Sequence, residues 1–264
     1  MALVDYSTQE GVALLTLNDP PFNGYTHEMM KDLDTAILEA RFDNDVQVLV
    51  ITGHGEKVFC AGANINMLRE ADATFKYYFC LHANETLLRL EHTPKLCIAA
   101  INGHCVGGGL EIAMACDFRV ARKDDKFKMG LPEVALGVLP GTGGTQRLSR
   151  LLGKSKAMQL MCEGSTFGFE EGLSHGLLNE LWDVEPGAPF LSKVIEYAHR
   201  FTRPGKSNLA VGGIKRAVQS GLEMSIGEGL ALERELQAAL FATDDAKEGL
   251  TAYTEKRKPV FKGR

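Results

Sequence analysis

The chain lacks the signatures of most cofactor and metal enzymes. No G-x-x-x-x-G-K-S/T occurs, and the cluster Gly141-Thr142-Gly143-Gly144 is not followed by Lys-Ser/Thr, so no nucleotide phosphate loop is expected. No G-x-G-x-x-G follows a strand-like run, and the G-x-S-x-G elbow of serine hydrolases is missing. The seven histidines (His27, His54, His82, His92, His104, His175 and His199) are scattered without metal-ligand spacing. The expectation is therefore an activity with no metal and no cofactor.

Long apolar runs are scarce too. The cleanest, Leu96–Ile101, is far shorter than the ~20 residues of a membrane span, so no membrane partner is expected. The six cysteines include no C-x-x-C pair and read as reduced, mostly buried thiols. The opening MALVDYSTQEGVALL carries Asp5 and Glu10 and no basic start, unlike a secretory or transit peptide, and a cytoplasmic protein is expected. Basic residues number 29 against 34 acidic ones, a net charge of −5 that gives no general attraction to nucleic acid. Any anionic ligand must be held by local groups.

With 264 residues, 45% of them hydrophobic and 24% charged, the chain can bury one large core or two small ones. Leu3–Ser7 and Val12–Leu17 flank Glu10-Gly11 and predict a hairpin. Helical periodicity over His27–Arg41 precedes the β-branched run Val46–Thr52. A largely helical stretch over Asn64–Leu90, a buried strand at Leu96–Ile101 and a glycine-opened helix at Gly107–Ala115 follow. Short strands are predicted at Phe118–Ala121 and Phe127–Met129. After Thr142 the pattern turns helical: Gly144–Leu152, Ser155–Cys162, Phe190–Phe201, Ser207–Ser220, Ile226–Thr243 and Asp244–Lys256. Alternation first and helices last predict an α/β core over residues 1–203 and a helical region over 204–264, divided near Pro204-Gly205.

Three stretches carry candidate chemistry. In VFCAGANINML (58–68) small residues follow a strand end, which leaves backbone N–H groups reachable or simply packs a tight turn. In AAINGHCVGGGLEIAMACD (99–117) Gly107-Gly108-Gly109 opens a helix whose free amides and dipole suit an anion. Glu111 follows among apolar residues, either facing a cleft or complementing the helix dipole. In FKMGLPEVALGVLPGTGGTQRL (127–148) Glu133 stands alone in an apolar loop, either a proton-transfer acid or a surface acid.

Together with NDPPFN (18–23) and ATDDAKEGLTAYTEKRKPVF (242–261), these stretches resemble the enoyl-CoA hydratase/isomerase (crotonase) superfamily along nearly the whole chain. The resemblance implies an α/β crotonase (ClpP-like) spiral of repeated ββα units, with C-terminal helices that build a homotrimer or a homohexamer of two stacked trimers. It implies an acyl-CoA thioester substrate, of which coenzyme A is a part. By motif position the oxyanion donors are the amides of Ala63 and Gly108. Glu111 would activate a water for addition to the β-carbon, and Glu133 would deliver the α-proton. Ala61, Gly62, Ala63, Asn64, Ile65, Asn66, Gly107 and Gly108 would line the substrate site. Lys256 would reach the CoA 3′-phosphate, or else be a solvated helix lysine.

The match has departures. Glu111 and Glu133 are 22 positions apart, two more than the usual hydratase pattern, because Phe127-Lys128-Met129-Gly130 replaces Phe-Gly. The longer form resembles the Δ3,Δ2-enoyl-CoA isomerase branch, which lacks the first glutamate. Retention of Glu111 favours reversible hydration of a 2-enoyl-CoA. Another acyl-CoA chemistry of the family (isomerase, hydrolase, decarboxylase or cyclic dienoyl-CoA hydratase) is the alternative. A silent CoA-ester or RNA-binding paralogue fits poorly with two glutamates and an acidic chain. The family's frequent Asp and Lys at positions 64 and 66 are here Asn64 and Asn66, so a point charge is missing. Phe75–Phe79 could line an acyl pocket or be plain core, and Tyr25 and His27 stand where selectivity could be set.

Overall fold

The computed structural model describes residues 2–184 and 189–264. Strands β1 (Val4–Gln9) and β2 (Val12–Leu17) form the expected antiparallel hairpin. Glu10 and Gly11 both have positive φ, 48° and 86°, as a two-residue hairpin turn requires. Helix α1 (His27–Phe42) then crosses back, capped by the Thr26 hydroxyl on the Met29 amide.

Three ββ pairs follow, and each sends its first strand into one sheet and its second into another. They are β3 (Val48–Gly53) with β4 (Val58–Cys60), β5 (Leu96–Ile101) with β6 (His104–Val106), and β7 (Phe118–Arg122) with β8 (Met129–Gly130). After the first pair come α2 (Ile65–Glu70) and α3 (Ala73–Glu91), and after the second comes α4 (Gly108–Met114). After the third come a 3-10 turn (Glu133–Leu136), α5 (Gly144–Leu152) and α6 (Lys154–Glu163). The chain continues through β9 (Thr166–Phe167), α7 (Phe169–Ser174), β10 (Glu180–Trp182) and α8 (Phe190–His199). It ends in α9 (Asn208–Gly221), α10 (Ile226–Phe241) and α11 (Asp244–Thr254).

The large sheet runs β1-β2-β3-β5-β7-β10 and the small one β4-β6-β8-β9. This is the expected α/β spiral of ββα units. Every residue of β3 and β5 is buried because these strands are covered on both faces. Leu49, Ile51, Ala99 and Ile101 face the main core under α1 and α3. Val48, Val50, Ile98 and Ala100 face Val194 and Ala198 of α8.

Several local expectations shift. The helix expected over Asn64–Leu90 breaks at Ala71-Asp72, because the Asp72 carboxylate accepts the Phe75 amide at 2.7 Å and starts α3 anew. The strand expected at Phe127–Met129 is Met129–Gly130, with the buried Phe127 ring packing on Phe169 instead. The stretch after Thr142 is not purely helical, since β9 and β10 complete the two sheets. Helix α9 packs on the core through Gly212, where a side chain would meet the Pro94 carbonyl. It also places Lys215 in a buried ion pair with Asp117 at 2.9 Å.

Candidate active site

Strands β4, β6 and β8 are parallel neighbours, so their carboxyl ends lie side by side. The three stretches singled out in the sequence leave these ends, and they meet around one cavity of about 270 Å³. A crevice at the carboxyl ends of parallel strands is where α/β sheets place ligands.

Two residues that line this space have backbone amides with no protein acceptor among the described residues. Tyr25 bridges to the loop after β4, donating its amide to the Gly62 carbonyl and accepting the Asn64 amide, both at 3.0 Å. Alternation turns the N–H of Ala63, between them, to the other side. Gly62 has φ +88°, and its amide donates to Sγ of Cys60 at 3.4 Å. Gly108 is the first residue of α4, whose N–H has no partner within the helix. Among the described residues neither Ala63 N–H nor Gly108 N–H donates to a protein acceptor. The two loops nearly touch: a methyl on Gly62 would stand 3.1 Å from the Gly108 nitrogen.

Glu111 sits one turn along α4 and is 1% exposed. Its Oε1 accepts the amides of Thr142 at 2.8 Å and Gly144 at 2.6 Å. Burial raises its pKa, against the pull of those two amides and the Arg147 charge. Arg147 is fixed in turn by Glu91 at 2.6 Å and by the Thr142 carbonyl at 3.0 Å.

Glu133 opens the 3-10 turn and lines the same cavity. Burial pushes its carboxyl up to about 7, the Glu111 charge adds to the rise, and Lys76 opposes it. Its buried Oε2 has no hydrogen-bond partner among the described residues. The two acids thus share a cavity but differ in support: one carboxylate is held by amides, and the other has a bare oxygen.

Ala61, Gly62, Ala63, Ile65, Gly107, Gly108, Glu111 and Glu133 all line this cavity. Ala61 to Asn66 also line an adjoining cavity of about 430 Å³ with Pro20, Phe22 and Gly24. Asn66 belongs to that second space only. The Asn64 side chain is spent capping α2, accepting the amides of Asn66 at 3.0 Å and Met67 at 3.2 Å. Lys256 lies exposed just beyond α11 and is not among the residues lining either cavity.

Of Phe75–Phe79, only Lys76 lines the cavity that holds the two glutamates, while Tyr77 and Tyr78 face solvent and Phe79 is core. Sequence reasoning missed Thr142 and Gly144 as holders of Glu111. The glycine cluster at 141–144 is visible in the sequence, but nothing local ties it to Glu111. Among the described residues no cluster of three or more His, Cys, Asp or Glu could hold a metal ion.

The profile of the enoyl-CoA hydratase/isomerase family matches residues 7–264. A short-chain-enoyl-CoA hydratase of Clostridium acetobutylicum is 39% identical over 248 residues, covering 94% of this chain and 92% of the relative. A crotonyl-CoA hydratase of Syntrophomonas wolfei is 37% identical, covering 96% of this chain and 95% of its own. The crystal structure of an enoyl-CoA hydratase from Geobacillus kaustophilus superposes with a TM-score of 0.95 at 42% identity. It covers 100% of this chain and 98% of its own.

Proposed function

Because the chain belongs to the enoyl-CoA hydratase/isomerase family, we propose that its cavity reversibly hydrates a 2-enoyl-CoA thioester to the 3-hydroxyacyl-CoA. The observation that carries this reading is the convergence of two differently supported glutamates and two unpaired backbone amides on one cavity.

In the reaction the thioester oxygen accepts the N–H groups of Ala63 and Gly108. These donors are fixed in place before charge develops, which is where such donors contribute most. Glu111 takes a proton from the water as its oxygen bonds to the β-carbon. The electron pair of the double bond moves into the enolate. Glu133 then gives its proton to the α-carbon. One proton has entered Glu111 and one has left Glu133, and exchange through solvent restores the pair. A carboxyl raised to about 7 keeps its proton in about half of the molecules at neutral pH, where an ordinary glutamate would have lost it, so it can serve as a donor.

Despite the longer spacing between the glutamates, Glu111 and Glu133 line one cavity. In the stretch before Glu133 the Lys128 amide donates to Nδ1 of His104 at 3.1 Å and Met129 pairs with Cys105. Two acids at one cavity support the hydratase reading over the isomerase alternative, which uses a single acid.

In this proposal part of coenzyme A occupies the adjoining cavity lined by residues 61–66, where backbone groups would stand in for the missing charges. A phosphate contact from Lys256 would have to come from outside this pocket. We also infer a homotrimer, or two stacked trimers, built on the C-terminal helices. Helix α10 buries none of its residues and exposes Ile226, Leu230 and Phe241, apolar side chains that a neighbouring subunit would cover. No described helix is long and apolar enough to cross a membrane. A cytoplasmic setting, where the six free thiols stay reduced, belongs to the same proposal.

The test is loss of the conjugated-thioester absorbance of crotonyl-CoA on adding the protein, repeated with E111Q and E133Q and with longer and cyclic enoyl-CoA esters. Hydration by the wild type and its loss in both variants is expected. Full hydration by E111Q, or none by the wild type on any ester, overturns the reading.

A further inference from the structure

Tyr25 touches the loop after β4, the start of α4 and the segment that holds Glu111. Its backbone brackets Ala63, holding Gly62 and Asn64 by two hydrogen bonds of 3.0 Å. Its ring lies against Gly108 so closely that a methyl group there would overlap it. The ring also stacks on Phe79, with centroids 5.6 Å apart and planes inclined by 18°. Its hydroxyl is 2.7 Å from Oγ1 of Thr142, 117 positions away in the chain. Thr142 is buried, and its amide is one of the two that hold Glu111. The Thr142 hydroxyl is itself among the groups favouring the Glu111 carboxylate.

We propose that Tyr25 is a positioning residue that joins the two oxyanion donors and Glu111 into one rigid unit, its hydroxyl acting on Glu111 through Thr142. The inference rests on the hydratase reading, in which Glu111 handles the water. Three attachments made by one side chain and its backbone are more than packing requires. A leucine at this position would fill much of the same volume and lose both the stack and the hydroxyl contact. Buried hydrogen-bond networks of this kind are worth more as units than as pairs, so their members lose function together.

Phe at position 25 keeps the backbone bracket and the ring contacts and removes only the hydroxyl. The expected result for Y25F is a kcat for crotonyl-CoA hydration lowered roughly 10- to 100-fold, the range of a lost hydrogen bond acting on a charged group, with KM unchanged. T142S keeps the hydroxyl and should have a kcat well above that of T142V, which should match Y25F. The Y25F/T142V double variant should be no slower than the slower single one, because the two act through one contact.

Circular dichroism and thermal melting establish that each variant is folded. Should Y25F not fold, the Thr142 pair decides alone, and equal kcat for T142S and T142V overturns the proposal. Wild-type kcat in a folded Y25F, with E111Q inactive, overturns it while leaving the hydratase reading intact. Absence of hydration in the wild type removes the hydratase reading itself.

Discussion

The Gly144 amide stands 2.6 Å from Oε1 of Glu111, so the amino end of α5 is aimed at the buried acid. A helix amino terminus supplies both a free donor and a favourable field for a carboxylate. Glu111 is thus held at a site 33 positions away by a contact to which no side chain of α5 contributes.

That contact has no slack. A methyl group at Gly144 would lie 2.9 Å from Glu111 Oε1 and 2.8 Å from Cβ of Pro140. Gly144→Ala should push the acid out of line and lower kcat about 10- to 100-fold, since displacements of about an ångström carry such costs. Steady-state kinetics on crotonyl-CoA checks this, and an unchanged kcat would show that Glu111 does not depend on the amide.

The oxyanion donors proposed at Ala63 and Gly108 make a second prediction. Gly108→Ala cannot delete a backbone N–H, but its methyl would overlap the Tyr25 ring and turn the first turn of α4 aside. Loss of one such donor costs roughly 10²–10³ in kcat. The binding of a saturated acyl-CoA, measured by calorimetry, should fall far less than turnover does.

The pH profile tests Glu133. Its pKa is raised to about 7, so the group is protonated below that pH and ionised above it. If it donates the α-proton, hydration falls as pH rises through about 7, and dehydration shows the opposite dependence. Lys76 holds that pKa down, so Lys76→Met should move the limb to higher pH. A limb that stays in place or moves down would separate it from Glu133.

Stability has its own sensitive point. Lys215 Nζ lies 2.9 Å from Asp117 and 3.2 and 3.0 Å from the carbonyls of Leu90 and Lys95, with its side chain 4% exposed. Lys215→Ala leaves a largely buried carboxylate without its counter-ion, and breaking such a pair costs about 3–5 kcal/mol. A chemical denaturation midpoint well below that of the wild type is expected. A shift under about 1 kcal/mol would mean that solvent reaches Asp117 readily.

Much of the site was legible because its chemistry lies in contiguous stretches. Gly62, Gly107, Gly108, Glu111 and Glu133 each stood out locally, and the strand ends carrying them could be placed from apolar runs such as Leu96–Ile101. The rest depended on distance in sequence. Strands of two or three residues, such as Met129–Gly130 and Thr166–Phe167, are too short for a period of two to register. The partnership of Tyr25 with Thr142 leaves no local trace, since nothing at either position announces a contact across 117 residues. The helix break at Asp72 was the exception: its cap is a local signal, and the apolar periodicity on both sides concealed it.

In the proposed reaction the thioester clamp is made of main chain, held by strand ends and a helix start, and neither glutamate builds it. Exchanging the acids would therefore alter which bond is made or broken while leaving the activated carbonyl in place. A scaffold of this kind separates the gripping of a reactive group from the choice of what is done to it, and new reactivity can be written in one or two side chains.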